Sequence, residues 1–395
     1  MMQLSWRRPM AIVVGALAAV VLSTSTVHAA APDVVYFAGV AFTGDAATST
    51  QAFPHLSHVL DANGSAQVNA SIRQQLQAHP SALALSFDQL GSIKDAGRSV
   101  ALALAVDRET TSVEHVGDAY KVRLEIAAQL LFFDFKEKQV LGGFPLILDY
   151  VDVRENPPSD EGILAGFRGM VLGSSAHSLP AEFVEALGKT SVPSAATRRL
   201  RVASITLADK ARQFLATTAP SLDADVLRTQ IAQEFGKYLA ANQKLAILPY
   251  SSNKAIGGSM AARFVEGEAY QLKIPEADYE IALDVAGFKK VEQGHNSVNS
   301  MFVYGSFVDV TIREPVSNHV YFSQRIRQGA TKEVPATQTS VDDWAASYES
   351  LLLLFNNFTQ AASNPASPWV KSALPDSPDA KAQLSSLAEL VKSCR

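Results

Sequence analysis

Two stretches of this chain read as long β-hairpins, and they stand 180 positions apart. Lys121–Phe135 (KVRLEIAAQLLFFDF) and Val140–Val153 (VLGGFPLILDYVDV) are rich in β-branched and aromatic residues, with the polar turn Lys136-Glu137-Lys138-Gln139 between them. Val122, Leu124 and Ile126 alternate with Lys121, Arg123 and Glu125, which predicts one buried and one wet face at this end. Over Ala127–Phe133 both faces turn apolar, so the middle of the strand is expected to be covered on both sides. The same pattern returns in Met301–Arg313 (MFVYGSFVDVTIR), a turn at Glu314–Asn318, and His319–Arg327 (HVYFSQRIR). At the constant offset Leu124 falls on Tyr304, Leu130 on Val310, Asp134 on Glu314 and Val140 on Val320. A shared apolar pattern and turn position, with few identities, is the mark of a duplication.

The order of elements repeats around the hairpins. The first copy opens with a strand at Asp33–Phe42, a loop to Asn63 and a helix at Ser65–His79, whose Val68, Ile72 and Leu76 share a stripe before Pro80. Strands at Ala82–Phe87 and Ser99–Val106 lead into the hairpin, and short helices at Glu161–Leu172 and Ala181–Leu187 follow it. The second copy has a strand at Leu200–Leu207, a helix at Ala224–Ala241, a strand at Lys244–Tyr250, a loop at Ser251–Ala262 and a strand at Tyr279–Lys289. Val341–Gln360 is the clearest helix, because Trp344, Tyr348, Leu351, Leu352, Phe355 and Phe358 recur every three or four residues. A Pro- and Ser-rich stretch and a terminal helix near Ala380–Lys392 close the chain.

These elements predict an α+β protein: two tandem repeats of a mixed or antiparallel sheet with a long hairpin and flanking helices, plus a C-terminal helix. The hydrophobic share of 47% over several hundred residues exceeds what one core usually organises. The expected division is a signal peptide at 1–29, repeats at 30–190 and 191–363 and a tail at 364–395, with the boundary at Lys189–Arg198.

The leader carries Arg7 and Arg8, an apolar run from Met10 to Leu22 and Val27-His28-Ala29, which fits the small-residue rule for signal peptidase. The run is shorter than the roughly 20 residues a membrane span needs. The mature chain is expected to start at Ala30, in the periplasm or outside the cell. Losing Arg7 and Arg8 leaves 32 basic against 39 acidic residues, a net charge of −7, which argues against nucleic acid as a partner. The single cysteine, Cys394, excludes an internal disulfide and leaves pairing between chains open.

The hairpins, with a strand, helix, strand, strand order before them, resemble the α/β domain shared by the amino-terminal domain of TolB, the curli-secretion channel protein and related envelope lipoproteins. The matching stretches are Asp134–Leu141 (DFKEKQVL) and Glu314–Tyr321 (EPVSNHVY). Lys138 and Asn318 stand where that family's turn has a glycine in the left-handed conformation. The resemblance implies the fold of these envelope proteins for each repeat.

Chemistry-bearing motifs are sparse. The chain has no His-Glu-x-x-His, Gly-x-Ser-x-Gly, Gly-x-Gly-x-x-Gly or phosphate-binding loop, and nothing in it calls for a cofactor. His55 and His58 are weak metal candidates, because a site needs three or four ligands and no further ones are apparent; two solvated loop histidines explain them better. Ser174, Ser175 and His177 invite a nucleophile-and-base reading, against which a helix-terminating loop is the simpler account. Asp342-Asp343 fit the start of a helix. Arg198, Arg199 and Arg201 form a basic cluster, either a solvated boundary or a contact for an anionic membrane surface, and Trp344 is a further binding candidate. Export, duplication and the motif content favour a non-catalytic envelope protein that binds protein partners. A binding protein for a small apolar ligand and a hydrolase of unrecognised motif are the alternatives.

Overall fold

The computed structural model describes residues 34–43, 52–79, 83, 85–87, 100–116, 118–194, 197–250, 259–264, 269–336, 338, 341–374 and 377–395. The leader, the Ala30 start and Gly257-Gly258 lie outside the described residues. The fold is α+β, with two sheets.

In the first half β1 (Val35–Thr43) is followed by α1 (Leu56–Val59), α2 (Ala62–Ala78), β2 (Leu85–Ser86) and the long strands β3 (Val100–Val116), β4 (Ala119–Asp134) and β5 (Gln139–Arg154). Helices α3 (Asp160–Leu172) and α4 (Leu179–Leu187) complete it. The second half runs β6 (Leu200–Leu207), α5 (Asp209–Thr218), α6 (Ala224–Gln243), β7 (Ser259–Phe264), β8 (Ala269–Lys273), β9 (Tyr279–His295), β10 (Asn299–Arg313) and β11 (Val320–Pro335). It ends in α7 (Asp343–Ala361), α8 (Pro368–Ala373) and α9 (Ala380–Ser393). The first sheet has the order β2-β1-β3-β4-β5-β8-β7, with β7 pairing back onto β1; the second has the order β11-β10-β9-β6.

The two sheets are irregular at matching places. β1 pairs parallel with β3 with a register shift between Phe37 and Gly39, and β6 pairs parallel with β9 with one between Val202 and Ser204. β3 bulges between Val106 and Arg108, opposite Ala127-Ala128; β9 bulges between Val285 and Gly287, opposite Phe307-Val308. Phe132 pairs with Gly142 and Phe133 with Val140, while 180 positions on Ile312 pairs with Phe322 and Arg313 with Val320. Bulges re-aim a strand at a defined residue and so are features of a design. Their coincidence is far more specific than the shared apolar pattern.

The turns agree too. Lys138 has φ 50° and Asn318 φ 57°, the left-handed position in each hairpin. That conformation costs an L-residue roughly 1–2 kcal/mol. Glycine avoids the cost but loses about 0.5–1 kcal/mol more backbone entropy on folding. Lys138→Gly is therefore expected to raise stability by up to about 1 kcal/mol, read as a higher urea midpoint at unchanged slope. A lower midpoint would mean that the Lys138 side chain makes a contact worth more than the strain.

One face of each sheet carries helices. Val68 and Ile72 of α2, Phe167 of α3 and Phe183 of α4 cover the first sheet, against Leu124, Ile126, Leu130 and Phe132 of β4. Phe235 of α6, Leu351 and Phe355 of α7 and Leu384 of α9 cover the second, against Val308, Val310 and Ile312 of β10. The predicted α7 ridge is there; Tyr348, Leu351, Phe355 and Phe358 are buried, whereas Trp344 and Leu352 lie half-buried at its margin. Asp342 caps the helix by accepting from the Ala345 amide at 2.8 Å.

Three segments depart from the sequence expectation. Lys244–Tyr250 is not a strand: Ile247 bridges to Gly143 of the first sheet and Leu248 to Arg201 of the second, so consecutive residues serve different sheets and no ladder extends. Helix α5 is mostly polar and buries Ala211 and Leu215. Part of the expected Ser251–Ala262 loop is β7, which joins the first sheet with β8 although both belong to the second half of the sequence.

Candidate functional site

The face of the first sheet opposite α2, α3 and α4 meets the second half. In β4 that face carries Glu125, Ala127, Gln129, Leu131 and Phe133, and all are buried, as the apolar middle of the strand predicts. Glu125 is the exception to the sequence reading: expected on a wet face, it is 1% exposed. Helices α6 and α7 bury it. Its Oε2 accepts from Arg123 Nη2 at 2.8 Å and from Gln230 Nε2 of α6 at 3.2 Å, and Arg108 Nη2 donates to Oε1. Arg108 Nε in turn donates to Gln233 of α6 at 3.0 Å. Arg123 also pairs with Asp149 of β5 at 2.7 Å, and its guanidinium lies 5.9 Å from the Tyr348 ring of α7. Burial raises the pKa of Glu234, beside Lys237 on α6, and raises that of the Tyr348 hydroxyl well above its ordinary value. Neither Glu234 Oε1 nor Tyr348 Oη has a hydrogen-bond partner among the described residues. At the β3 bulge Asp107 accepts from Gln129 at 2.9 Å and Thr43 at 2.8 Å, yet enclosure still pushes its pKa up to about 6.

The same face in the second sheet is uncovered. At the shared offset Glu125, Ala127 and Gln129 correspond to Gly305, Phe307 and Asp309, none of which is fully buried. Polar pairs line its near end: Asp309 with Arg325 at 2.6 Å, Thr206 with Asp284 at 2.6 Å, and Thr311 with Ser323 at 3.3 Å. Toward the far end the face becomes apolar, and a groove of about 390 Å³ runs over Gly305 and Gly329 between Val303, Phe307 and Val291. The N-terminus of α7 ties the two sheets together, because Asp342 pairs with Lys121 of β4 at 3.1 Å and Asp343 with Lys290 of β9 at 2.7 Å.

The structure spreads the basic cluster over two surfaces. Arg198 Nη1 pairs with Asp278 at 2.9 Å, and the Arg199 amide donates to the same carboxylate at 2.8 Å. Arg201 points to the open sheet face and pairs with Glu280 at 2.6 Å. Arg198 and Arg199 border a cleft of about 200 Å³ between the halves, with Lys244 on its rim and Leu141, Phe144 and Ile247 on its walls. Cys394 lines it as well; it is buried, and burial pushes its thiol up to about 11, so a disulfide to another chain requires the C-terminal turn to open. Trp344 lies elsewhere, packed edge-on against Phe288 with centroids 5.6 Å apart.

The histidine and serine candidates stand apart from both surfaces. His55 Nδ1 lies 2.9 Å from Glu109 Oε1 and its ring stacks on Phe167, which anchors the α1 turn to β3, while His58 is exposed. Among the described residues no three of His, Cys, Asp and Glu assemble into a metal site. Ser174, Ser175 and His177 form an exposed turn between α3 and α4, with His177 Nδ1 3.2 Å from Glu182. No helix among the described residues is long and apolar enough to cross a membrane.

The architecture is that of an α+β protein whose second half docks its helices on the sheet of its first. No known family matches the chain, and no curated protein does. Among solved structures it is similar to a DUF330 protein from Xanthomonas campestris, at 13% identity and a TM-score of 0.22 over 41% of this chain and 80% of that one. It is also similar to a minor lipoprotein from Acinetobacter baumannii, at 10% identity and a TM-score of 0.20 over 42% of this chain and 86% of that one. Likenesses at this level carry no argument about function, which rests on the residues of this chain.

Proposed function

We propose that the chain is an exported, non-catalytic module of the bacterial cell envelope, a duplicated α/β domain that works by binding a protein partner. The observation that carries the reading is the unequal fate of one sheet face, buried at Glu125–Phe133 in the first half and open at Gly305–Arg313 in the second. Exposed apolar patches rimmed by polar groups are where soluble proteins meet partners. The leader motif at Arg7–Ala29 supports export, and the left-handed turns at Lys138 and Asn318 support the resemblance to the TolB and curli-secretion domain. Cross-linking in the native host followed by purification should yield a chain that starts within a few residues of Ala30, joined to an envelope protein. A chain retaining Met1, or turnover of an ester or glycoside panel, would overturn the proposal.

The cleft between the halves favours a second reading, as a receptor for a small anionic ligand. Lys244 borders it without an acidic side-chain partner among the described residues, and Arg199 stands beside it next to Asp278, above the apolar walls of Leu141, Phe144 and Ile247. Native mass spectrometry of chain purified from its host would retain such a ligand.

A further inference from the structure

The first half shows what its sheet face is built to receive. Gln230 and Gln233 of α6 and Tyr348 of α7 lie over Glu125, Arg108 and Arg123, and Gly236 of α6 brings its backbone close to Pro145 of β5. A helix pair thus covers this face of one sheet. If the halves are copies, the equivalent face of the second sheet is the docking surface that the chain does not fill for itself.

Its residues differ in a way that fits a helix. At the positions of Glu125 and Asp149 stand Gly305 and Gly329, which pair directly across β10 and β11. Neither has a positive φ, so the backbone does not require glycine. Glycine inside a strand weakens it, and marks a place where another backbone or a ligand approaches closely. A Cβ at Gly305 would meet Phe307 at 3.4 Å and one at Gly329 would meet Val303 at 3.2 Å, so side chains there would fill the trough. Val303 and Phe307 flank it, Val291 extends it, and Lys289 and Arg327 stand on its rim. Among the described residues Lys289 has no acidic partner, and Arg327 donates to the Ser372 carbonyl at 3.1 Å.

We infer that the trough over Gly305 and Gly329 docks a helix of a partner protein, with an apolar ridge entering between Val303 and Phe307 and carboxylates facing Lys289 and Arg327. The inference rests on the proposed binding role and on the halves being copies. Helix-in-groove recognition uses anchors at three- and four-residue spacing, and complementary charge at the rim sets orientation.

The test is photocross-linking of the full chain in its native host, with p-benzoylphenylalanine placed at Val303, and at Val298 on the exposed β9–β10 connection as a second position. The peptide captured at Val303 is expected to carry apolar residues at helical spacing with flanking Asp or Glu. Lys289→Glu with Arg327→Glu should cut its yield at least tenfold. Gly305→Thr should abolish it while leaving the melting temperature unchanged or higher, an outcome that a purely structural glycine would not give. Capture of a second copy of this chain, of a segment with strand alternation, or of a peptide whose yield ignores the charge reversal would overturn the helix proposal. Cross-links at Val298 but none at Val303 would sink the groove and leave the binding role standing; none at either would sink both.

Discussion

Phe355→Ala should cost the chain about 3–5 kcal/mol, the usual range for truncating a fully buried aromatic side chain. Phe355 is completely buried; its ring meets Phe235 of α6 edge-on with centroids 5.3 Å apart, and Phe358, one turn on, packs at 5.1 Å against Phe322 of β11. The cavity therefore opens where α6, α7 and the second sheet meet, and neighbours held by their own ring contacts have little room to collapse into it. Against a total stability of about 5–15 kcal/mol, such a loss leaves the chain marginal or unfolded at room temperature. Trp344→Ala is the informative companion. Trp344 is only half-buried, so its truncation should cost about 2 kcal/mol, the value of moving part of an aromatic surface back into water. Urea unfolding of both variants checks the order: equal losses, or a larger loss for Trp344, would mean that the ridge of α7 is anchored at its start and not at its centre.

The packing of the two halves on each other explains which parts of this fold are legible in the sequence. Local signals hold. The hairpin turns fall where the polar interruptions stand, with Lys138 and Asn318 in the left-handed position, and α7 follows its three- and four-residue spacing from the Asp342 cap. What fails is decided by a distant partner. Glu125 alternates with Val122, Leu124 and Ile126 and therefore reads as solvent-facing, but the residue that covers it, Gln230, is 105 positions away. Strand β7 follows the Gly257-Gly258 pair that marks a loop, and it is a strand because β1 lends it an edge, with Phe42 opposite Arg263. Lys244–Tyr250 carries a strand's composition but divides its pairing between two sheets. The groove had a signal in the sequence: glycines inside the β-rich runs MFVYGSFVDV and YFSQRIRQGATK, at positions where a strand gains nothing from glycine. The missing step is the length of β11, which runs past the expected end at Arg327 to Pro335 and so sets Gly329 beside Gly305.

The buried network at Glu125 carries the other large expected effect. Glu125 is 1% exposed and holds two arginines, Arg108 and Arg123, of which Arg108 is itself 11% exposed. Glu125→Ala removes the acceptor and leaves the Arg108 guanidinium enclosed, hydrogen-bonded among the described residues to the neutral Gln233 and Thr110, with Asp107 as a charged neighbour that does not hydrogen-bond it. Breaking a buried pair from one side typically costs about 3–5 kcal/mol, because an uncompensated charge remains where water cannot reach it. Arg123 is less affected, since it keeps Asp149 at 2.7 Å and is more exposed. Removing both charges is a different experiment. Glu125→Leu with Arg108→Met replaces the pair by apolar groups of similar size, a change that is often neutral or stabilising. The double variant should therefore recover most of what Glu125→Ala loses, and a thermal melt of the wild type and the two variants reads the difference directly. The network joins β3 and β4 of the first sheet to α6 of the second half, so the single variant should also loosen the seam, with faster amide exchange in α6 around Gln230 and Gln233 than in α2, which lies on the opposite face. A double variant no more stable than Glu125→Ala would show that the ion pair contributes net stability to the docking of the two halves. Loss confined to the global melt, with α2 and α6 exchanging alike, would show that the seam opens only when the whole chain unfolds.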